Sequence, residues 1–335
     1  MPRLLVARLD PGPPERCLRT ARALLSRDGG EPVLLLAPLA GEAVLLGRHQ
    51  RAASALRLAA ARERDLPVAR RLGGGRALLA GEGALLVLAA APPGASLFPG
   101  PFAADKVLNR YVRGLLAGLR ASGARAAAWF GRDVVSSDGR RVAVVSQEGT
   151  AAGGTALEAL VAVSRDLALP EDLGGYPPHG DPRAAGPPPA TLSALAGRAV
   201  AAGEVAEAVA RGYAGASGLE AVAWEGALPE APLLAAEEDE AGLARSGPAE
   251  IPIGFAEALV RGAGGRVLEA RLRGDFMAPA FAREALERSL AGCPLAFEEV
   301  GRRVDAAFRA PGAFVHGLRD LRVLAEAVLA AGAAD

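Results

Sequence analysis

The sequence predicts an α/β chain built as one large domain followed by a small one. Short apolar runs rich in Leu, Val and Ala alternate with stretches whose apolar residues recur at helical spacing. Gly73, Gly74 and Gly75 lie between two of those apolar runs, where a chain can bend sharply. An acidic stretch over 235–248 then interrupts the pattern before a second set of strand and helix signals begins. The 335 residues are 51% hydrophobic, enough for a large core. Much of that content is Ala and Leu, which favours helices and close packing over aromatic clusters.

Residues 16–27 carry Leu18, Ala21, Leu24 and Leu25 on one helical face, and Gly29-Gly30 stops the helix. Residues 32–39 and 43–46 read as short buried strands, the second running into Gly47-Arg48-His49-Gln50. An amphipathic helix is expected over 53–64. A strand over 67–71 leads into the glycine segment, and another over 83–91 leads out. The clearest helix spans 106–122, with Val107, Leu108, Tyr111, Val112, Leu115, Leu116 and Leu119 in one stripe and Gly123 as its stop. Strands over 126–130 and 141–146 are joined by a turn at Ser136-Ser137-Asp138-Gly139, whose Asp-Gly is a hairpin signal. A further strand region is expected over 157–167, a Pro- and Gly-rich surface loop over 174–189, and a helix over 204–213. Beyond the acidic boundary come Ile251 to Phe255, a hairpin turning at 262–265, and helices over 283–290, 298–308 and 318–329.

Formal net charge is zero, which gives no electrostatic case for nucleic acid or an anionic membrane as partner. Lys106 is the single lysine and Asn109 the single asparagine, a bias that drift toward GC-rich codons explains. Cys17 and Cys293 are too few and too far apart for a disulfide scaffold or a zinc site. No signal-peptide pattern is visible, and no apolar run reaches spanning length without a charge, Gly or Pro. A cytoplasmic location is expected.

Two segments concentrate residues suited to a phosphate or carboxylate. The first is Arg70-Arg71-Leu72-Gly73-Gly74-Gly75-Arg76-Ala77. Backbone N–H groups reach a phosphate only where no Cβ intervenes, and guanidiniums add planar, charge-assisted bonds. The second is Gly131-Arg132-Asp133, followed by Asp138-Gly139-Arg140-Arg141. Plainer readings stand beside these: a glycine run between strands is also a tight turn, and Asp133 also suits a strand end. His49 is the histidine nearest these segments, while His179 and His316 read as surface residues.

In order and spacing the two segments resemble the biotin/lipoate protein ligase family, of the lipoate–protein ligase type. That family carries Arg-Arg-x-Ser-Gly-Gly-Gly-Ala, then Gly-Arg-Asn-Asp, then Gly-Arg-Lys-Ile-Ser-Gly. Gly254-Phe255, Gly274-Asp275-Phe276 and Leu290-Ala291-Gly292-Cys293-Pro294-Leu295 resemble its C-terminal accessory domain, so the likeness covers nearly the whole chain. It implies a mixed sheet with flanking helices, of the class II synthetase and biotin ligase type, over 1–240. A small α/β accessory domain is implied over 249–335. The likeness further implies that Arg70, Arg71, Gly73, Gly74, Gly75, Arg132 and Asp133 bind ligand, with Asp133 on Mg²⁺. Arg141 falls where the family has its catalytic lysine.

The implied activity is ATP- and Mg²⁺-dependent conversion of lipoate or octanoate to acyl-AMP. The acyl group would pass to a lysine on a lipoyl domain of a 2-oxoacid dehydrogenase or on the glycine-cleavage carrier protein. Related transferases use a cysteine nucleophile, but Cys17 and Cys293 lie outside both segments. No helix-turn-helix domain precedes them, which argues against a repressor. The chain departs from the family at Gly73 (serine), Arg76 (glycine), Ala80 (histidine), Val134 (aspartate), Arg141 (lysine) and Val144 (glycine). Those departures leave a second expectation open, a non-catalytic relative serving as an acyl-ligand or carrier-protein binding module.

Overall fold

The computed structural model describes residues 2–237 and 239–333. Its first strands are β1 (Arg3–Arg8), β2 (Val33–Pro38), β3 (Ala43–Leu46), β4 (Val68–Arg70), β5 (Leu78–Ala80) and β6 (Ala84–Ala91). They are followed by β7 (Ala128–Trp129), β8 (Val134–Ser137), β9 (Arg140–Gly149), β10 (Thr155–Ala162) and β11 (Glu220–Ala223). The last four are β12 (Ala244–Arg245), β13 (Ala249–Ile251), β14 (Gly254–Ala263) and β15 (Arg266–Gly274). The helices are α1 (Pro14–Leu25), α2 (Ala52–Ala55), α3 (Leu58–Glu63), α4 (Val107–Ala121), α5 (Pro182–Ala185) and α6 (Leu192–Ala196). They continue with α7 (Ala202–Ser217), α8 (Ala280–Leu290), α9 (Phe297–Phe308) and α10 (Arg322–Gly332).

Eight strands form the main sheet in the order β11-β1-β2-β6-β10-β9-β8-β7. β1 pairs parallel with both neighbours and every other pairing is antiparallel, so the sheet is mixed. β6 is an unbroken apolar run and is buried at every residue, because both faces of the sheet are covered. One face packs under α4 and α7, the other under α1 and the small sheet β4-β3-β5. α4 and α7 approach closely because Gly114 and Gly118 meet Tyr213 and Val209 where any Cβ would collide.

The remaining strands form a sheet of their own, β12 and β13 along one edge of β14 and β15 along the other. α8, α9 and α10 close it, and their core joins that of α4 and the main sheet.

Several elements differ from expectation for identifiable reasons. The Asp138-Gly139 turn is present, with both residues at positive φ (51° and 72°). A two-residue turn of that kind requires its strands to flank it directly, so β8 enters between the expected partners. The helix expected over 53–64 breaks at Leu56, which is extended and bridges to Gly174. β1, β5 and β11 were not expected; β1 and β11 depend on pairing partners far away in sequence.

Candidate functional site

The glycine loop joins β4 to β5 and is wrapped around a carboxylate. Glu158 on β10 is buried and accepts hydrogen bonds from Leu72 N (3.3 Å), Gly73 N (3.1 Å) and Ser146 Oγ (3.2 Å). Arg71, 1% exposed, lies 3.8 Å from the same carboxylate and donates from Nη2 to the Arg76 carbonyl at 2.8 Å. Burial lowers the pKa of Arg71, and Glu158 opposes the shift. The glycines have packing reasons of their own. A Cβ at Gly73 would strike Ser146, and one at Gly74 would strike the Phe276 carbonyl, while Gly75 sits at φ +102°.

These contacts give the loop a packing role of its own. The Leu72 and Gly73 amides already have an anion, Glu158, and Gly74 makes room for the C-terminal sheet's 276–277 segment. Arg70 is also committed. Its guanidinium donates to the carbonyls of Gly47, Arg48, Gln50, Ala235 and Ala236, which fixes the 47–50 turn.

Beside the loop lies a cluster of guanidiniums around one carboxylate. Arg76 Nε donates to Asp133 Oδ2 at 2.7 Å, and its other nitrogens donate to the carbonyls of Ala184, Ala185 and Ile253. Arg132 Nε is 3.9 Å from Asp133 Oδ1, and its remaining donors reach the carbonyls of Arg183, Ala184 and Pro252. The carbonyls at the end of α5 are thus capped by two arginines. Asp133 is 0% exposed and its Oδ1 accepts no hydrogen bond.

Arg141 completes the cluster. It is 9% exposed, and among the described residues its guanidinium has neither a hydrogen-bond nor an ion-pair partner. Burial lowers its pKa; Arg76 adds to the depression and Asp133 opposes it. Its nitrogens still reach the surface, where an anion from solution can meet them.

The Mg²⁺ expectation at Asp133 does not fit this geometry. Its carboxylate is taken by Arg76, and among the described residues no group of three His, Cys, Asp or Glu side chains could hold a metal ion.

The 47–50 turn links the glycine loop to the C-terminal sheet. Gln50 Nε2 donates to Asp275 Oδ1 at 2.5 Å, and Phe255 N donates to Asp275 Oδ2 at 2.7 Å. Burial pushes the Asp275 carboxyl up to about 7. His49 stacks on Phe276 at 5.1 Å and pairs through Nε2 with the Ala278 carbonyl, so it is a buried structural residue whose pKa lies well below the ordinary value because of desolvation. Next to this turn a cavity of about 460 Å³ is lined by Gln50, Arg76, Ala77, Tyr176, Phe255 and Asp275, among others.

The structure therefore gathers Arg71, Gly73, Arg132, Asp133 and Arg141 around Arg76 and Glu158. It gives Arg70 and Gly74 packing tasks. Glu158, Gln50 and Asp275 were not foreseen as site residues. Glu158 had a legible signal, being the sole charge in an otherwise apolar run from Leu157 to Val163.

This frame is shared with known proteins. The P. falciparum LipL1 structure in complex with lipoate has a TM-score of 0.63 at 11% identity, over 91% of this chain and 94% of its own. A bi-partite lipoate protein ligase of Thermoplasma acidophilum, described with its E2 lipoyl domain, has a TM-score of 0.53 at 18% identity, over 67% and 87%. A lipoate-protein ligase A bound with ATP has a TM-score of 0.51 at 15% identity, over 67% and 89%. At such identities the likeness defines the fold, that of the lipoate protein ligases with a C-terminal domain. The family model of the lipoyl protein ligase A/B catalytic domain matches residues 13–212, and this chain belongs to that family. No curated protein matches it. Among the described residues no helix is long and apolar enough to cross a membrane.

Proposed function

We propose that this chain is a lipoate–protein ligase that holds a lipoyl or octanoyl carboxylate against Arg141, activates it with ATP and passes it to a carrier lysine. The observation that carries the reading is the largely buried Arg141 side chain, whose guanidinium has no partner among the described residues, in a chain of this family. In the first step a carboxylate oxygen attacks the α-phosphorus of ATP and pyrophosphate leaves. Arg141 carries charge on the carboxylate and the phosphate while both are in contact with it. In the second step the lysine amine attacks the acyl carbon and AMP leaves. The Arg71–Glu158 pair holds the glycine loop beside this site. The acceptor is a lipoyl domain or a glycine-cleavage carrier. The main sheet over 1–240 and the unit over 249–335 act as catalytic-type and accessory domains.

One observation favours a second reading. Glu158 occupies the loop amides from within the chain, which suits a non-catalytic binding module. Pyrophosphate release with ATP and octanoate or lipoate decides between them. Octanoate-dependent release supports the ligase, and acyl binding without release supports the module.

A further inference from the structure

We propose that Arg76 does at Asp133 what a divalent cation would do, so that this chain meets the phosphate or carboxylate of its ligand with guanidiniums alone and holds no metal ion of its own. The proposal rests on the acyl-carboxylate or acyl-phosphate reading above and concerns the same site. Asp133 is fully buried, and one of its oxygens is 2.7 Å from Arg76 Nε. Arg76 cannot swing aside cheaply. Its other nitrogens cap carbonyls of two further segments, Ala184 and Ala185 at the end of α5 and Ile253 before β14. Release would give up those caps and leave the fully buried Asp133 carboxylate without the one hydrogen bond it accepts among the described residues, and a buried carboxylate without a partner is costly.

The second Asp133 oxygen accepts no hydrogen bond and is the one place a cation could approach. Arg132 Nε stands 3.9 Å from it. A Mg²⁺ or Mn²⁺ ion held by the protein itself would need several oxygen ligands there, and the described residues offer no group of three His, Cys, Asp or Glu side chains for it. It would also enter a cluster in which Arg76, Arg132 and Arg141 already stand around one carboxylate. Asp275 acts on Arg76 and Asp166 on Arg141, and Asp133 in turn acts on Asp275. An added divalent cation is repelled by that arrangement, whereas an anion at Arg141 balances it. In an adenylation site the charge a metal would neutralise is on the α-phosphate, and Arg141 is the guanidinium left over to meet it. Any Mg²⁺ then travels on the phosphates of ATP.

The test uses the unmodified chain with AMP and octanoate as probes. Their affinities are measured by calorimetry in Mg²⁺ and again in EDTA, and Mn²⁺ binding is followed by electron paramagnetic resonance. The expected result is an undiminished free Mn²⁺ signal, affinities unchanged between buffers, and a loss of roughly tenfold or more in Arg141→Gln in both. Stoichiometric capture of Mn²⁺, or a gain of about tenfold on adding Mg²⁺, overturns the proposal. If neither probe binds in either buffer, the ligase and module readings fall. The resonance experiment still decides this inference: free Mn²⁺ upholds the metal-free site, captured Mn²⁺ refutes it.

Discussion

Arg141 differs from the other arginines of the site in that its guanidinium has no partner among the described residues, whereas Arg70, Arg76 and Arg132 are fastened to backbone carbonyls. Substituting Arg141 should therefore cost ligand affinity and little stability. Arg141→Gln removes a charged hydrogen bond worth about 2 kcal/mol, so octanoate or AMP binding should fall roughly thirtyfold by calorimetry. The melting temperature should hold or rise, since a desolvated cation is gone. Glu158→Gln should show the opposite balance. It keeps an acceptor for one of the Leu72 and Gly73 amides, turns an NH2 toward the other, and leaves the Arg71 cation buried without its counter-charge. Breaking a buried pair in this way costs roughly 3 kcal/mol, readable as a lower urea midpoint. At this scale spacing is the legible evidence, and Arg132 Nε lies 3.9 Å from Asp133 while Arg141 is within electrostatic range of it. The packing contacts of Arg70 and Gly74 are not legible there, because a guanidinium or a missing Cβ looks the same in sequence whether it serves a ligand or a neighbouring carbonyl.

Among the elements, α8 is tied to the main sheet by a carboxylate. Glu148 near the end of β9 accepts from Ala280 N at the start of α8 (2.9 Å) and from Gly149 N (3.1 Å), while its second oxygen has no partner among the described residues. Burial pushes Glu148 up to about 7, from an ordinary value of 4.5. A carboxyl with a raised folded pKa contributes stability that is complete below its unfolded pKa and is lost as pH rises to the folded one. Thermal stability should thus decline between about pH 4.5 and 7, and Glu148→Gln should flatten part of that decline. Asp275, raised to about 7 by the same cause, keeps the remainder. A slope unchanged in Glu148→Gln would show that Glu148 titrates normally. The Asp138-Gly139 turn and the α4 stripe were legible because each is determined within a few residues. β1 and β11 were not, since parallel pairing is settled by partners on distant stretches of chain.

Across the whole molecule two separate sheets share one continuous core. Buried residues run without a break from Leu4, Leu34 and Leu115 of the main sheet and α4 to Phe276, Met277, Leu286 and Leu324 of the C-terminal sheet and helices. Gly274 N donates to the His49 carbonyl at 2.9 Å, and Gly74 lies against the Phe276 backbone. The acidic stretch is legible as an interruption of the pattern, but this seam is not, because no local pattern announces which glycine will face which carbonyl. Units joined by an extended apolar interface unfold together, whereas units joined by a linker unfold separately. The unmodified chain should therefore give a single calorimetric transition with calorimetric and van't Hoff enthalpies equal. Gly74→Ala drives a methyl group into the Phe276 carbonyl, an overpacking that costs roughly 1–3 kcal/mol. The glycine loop is bonded to Glu158 on one side, so the C-terminal sheet must yield. In that variant the transition should split into two, the earlier one reporting release of the C-terminal helices. A lowered but still single transition would show that the seam adapts without parting the two sheets.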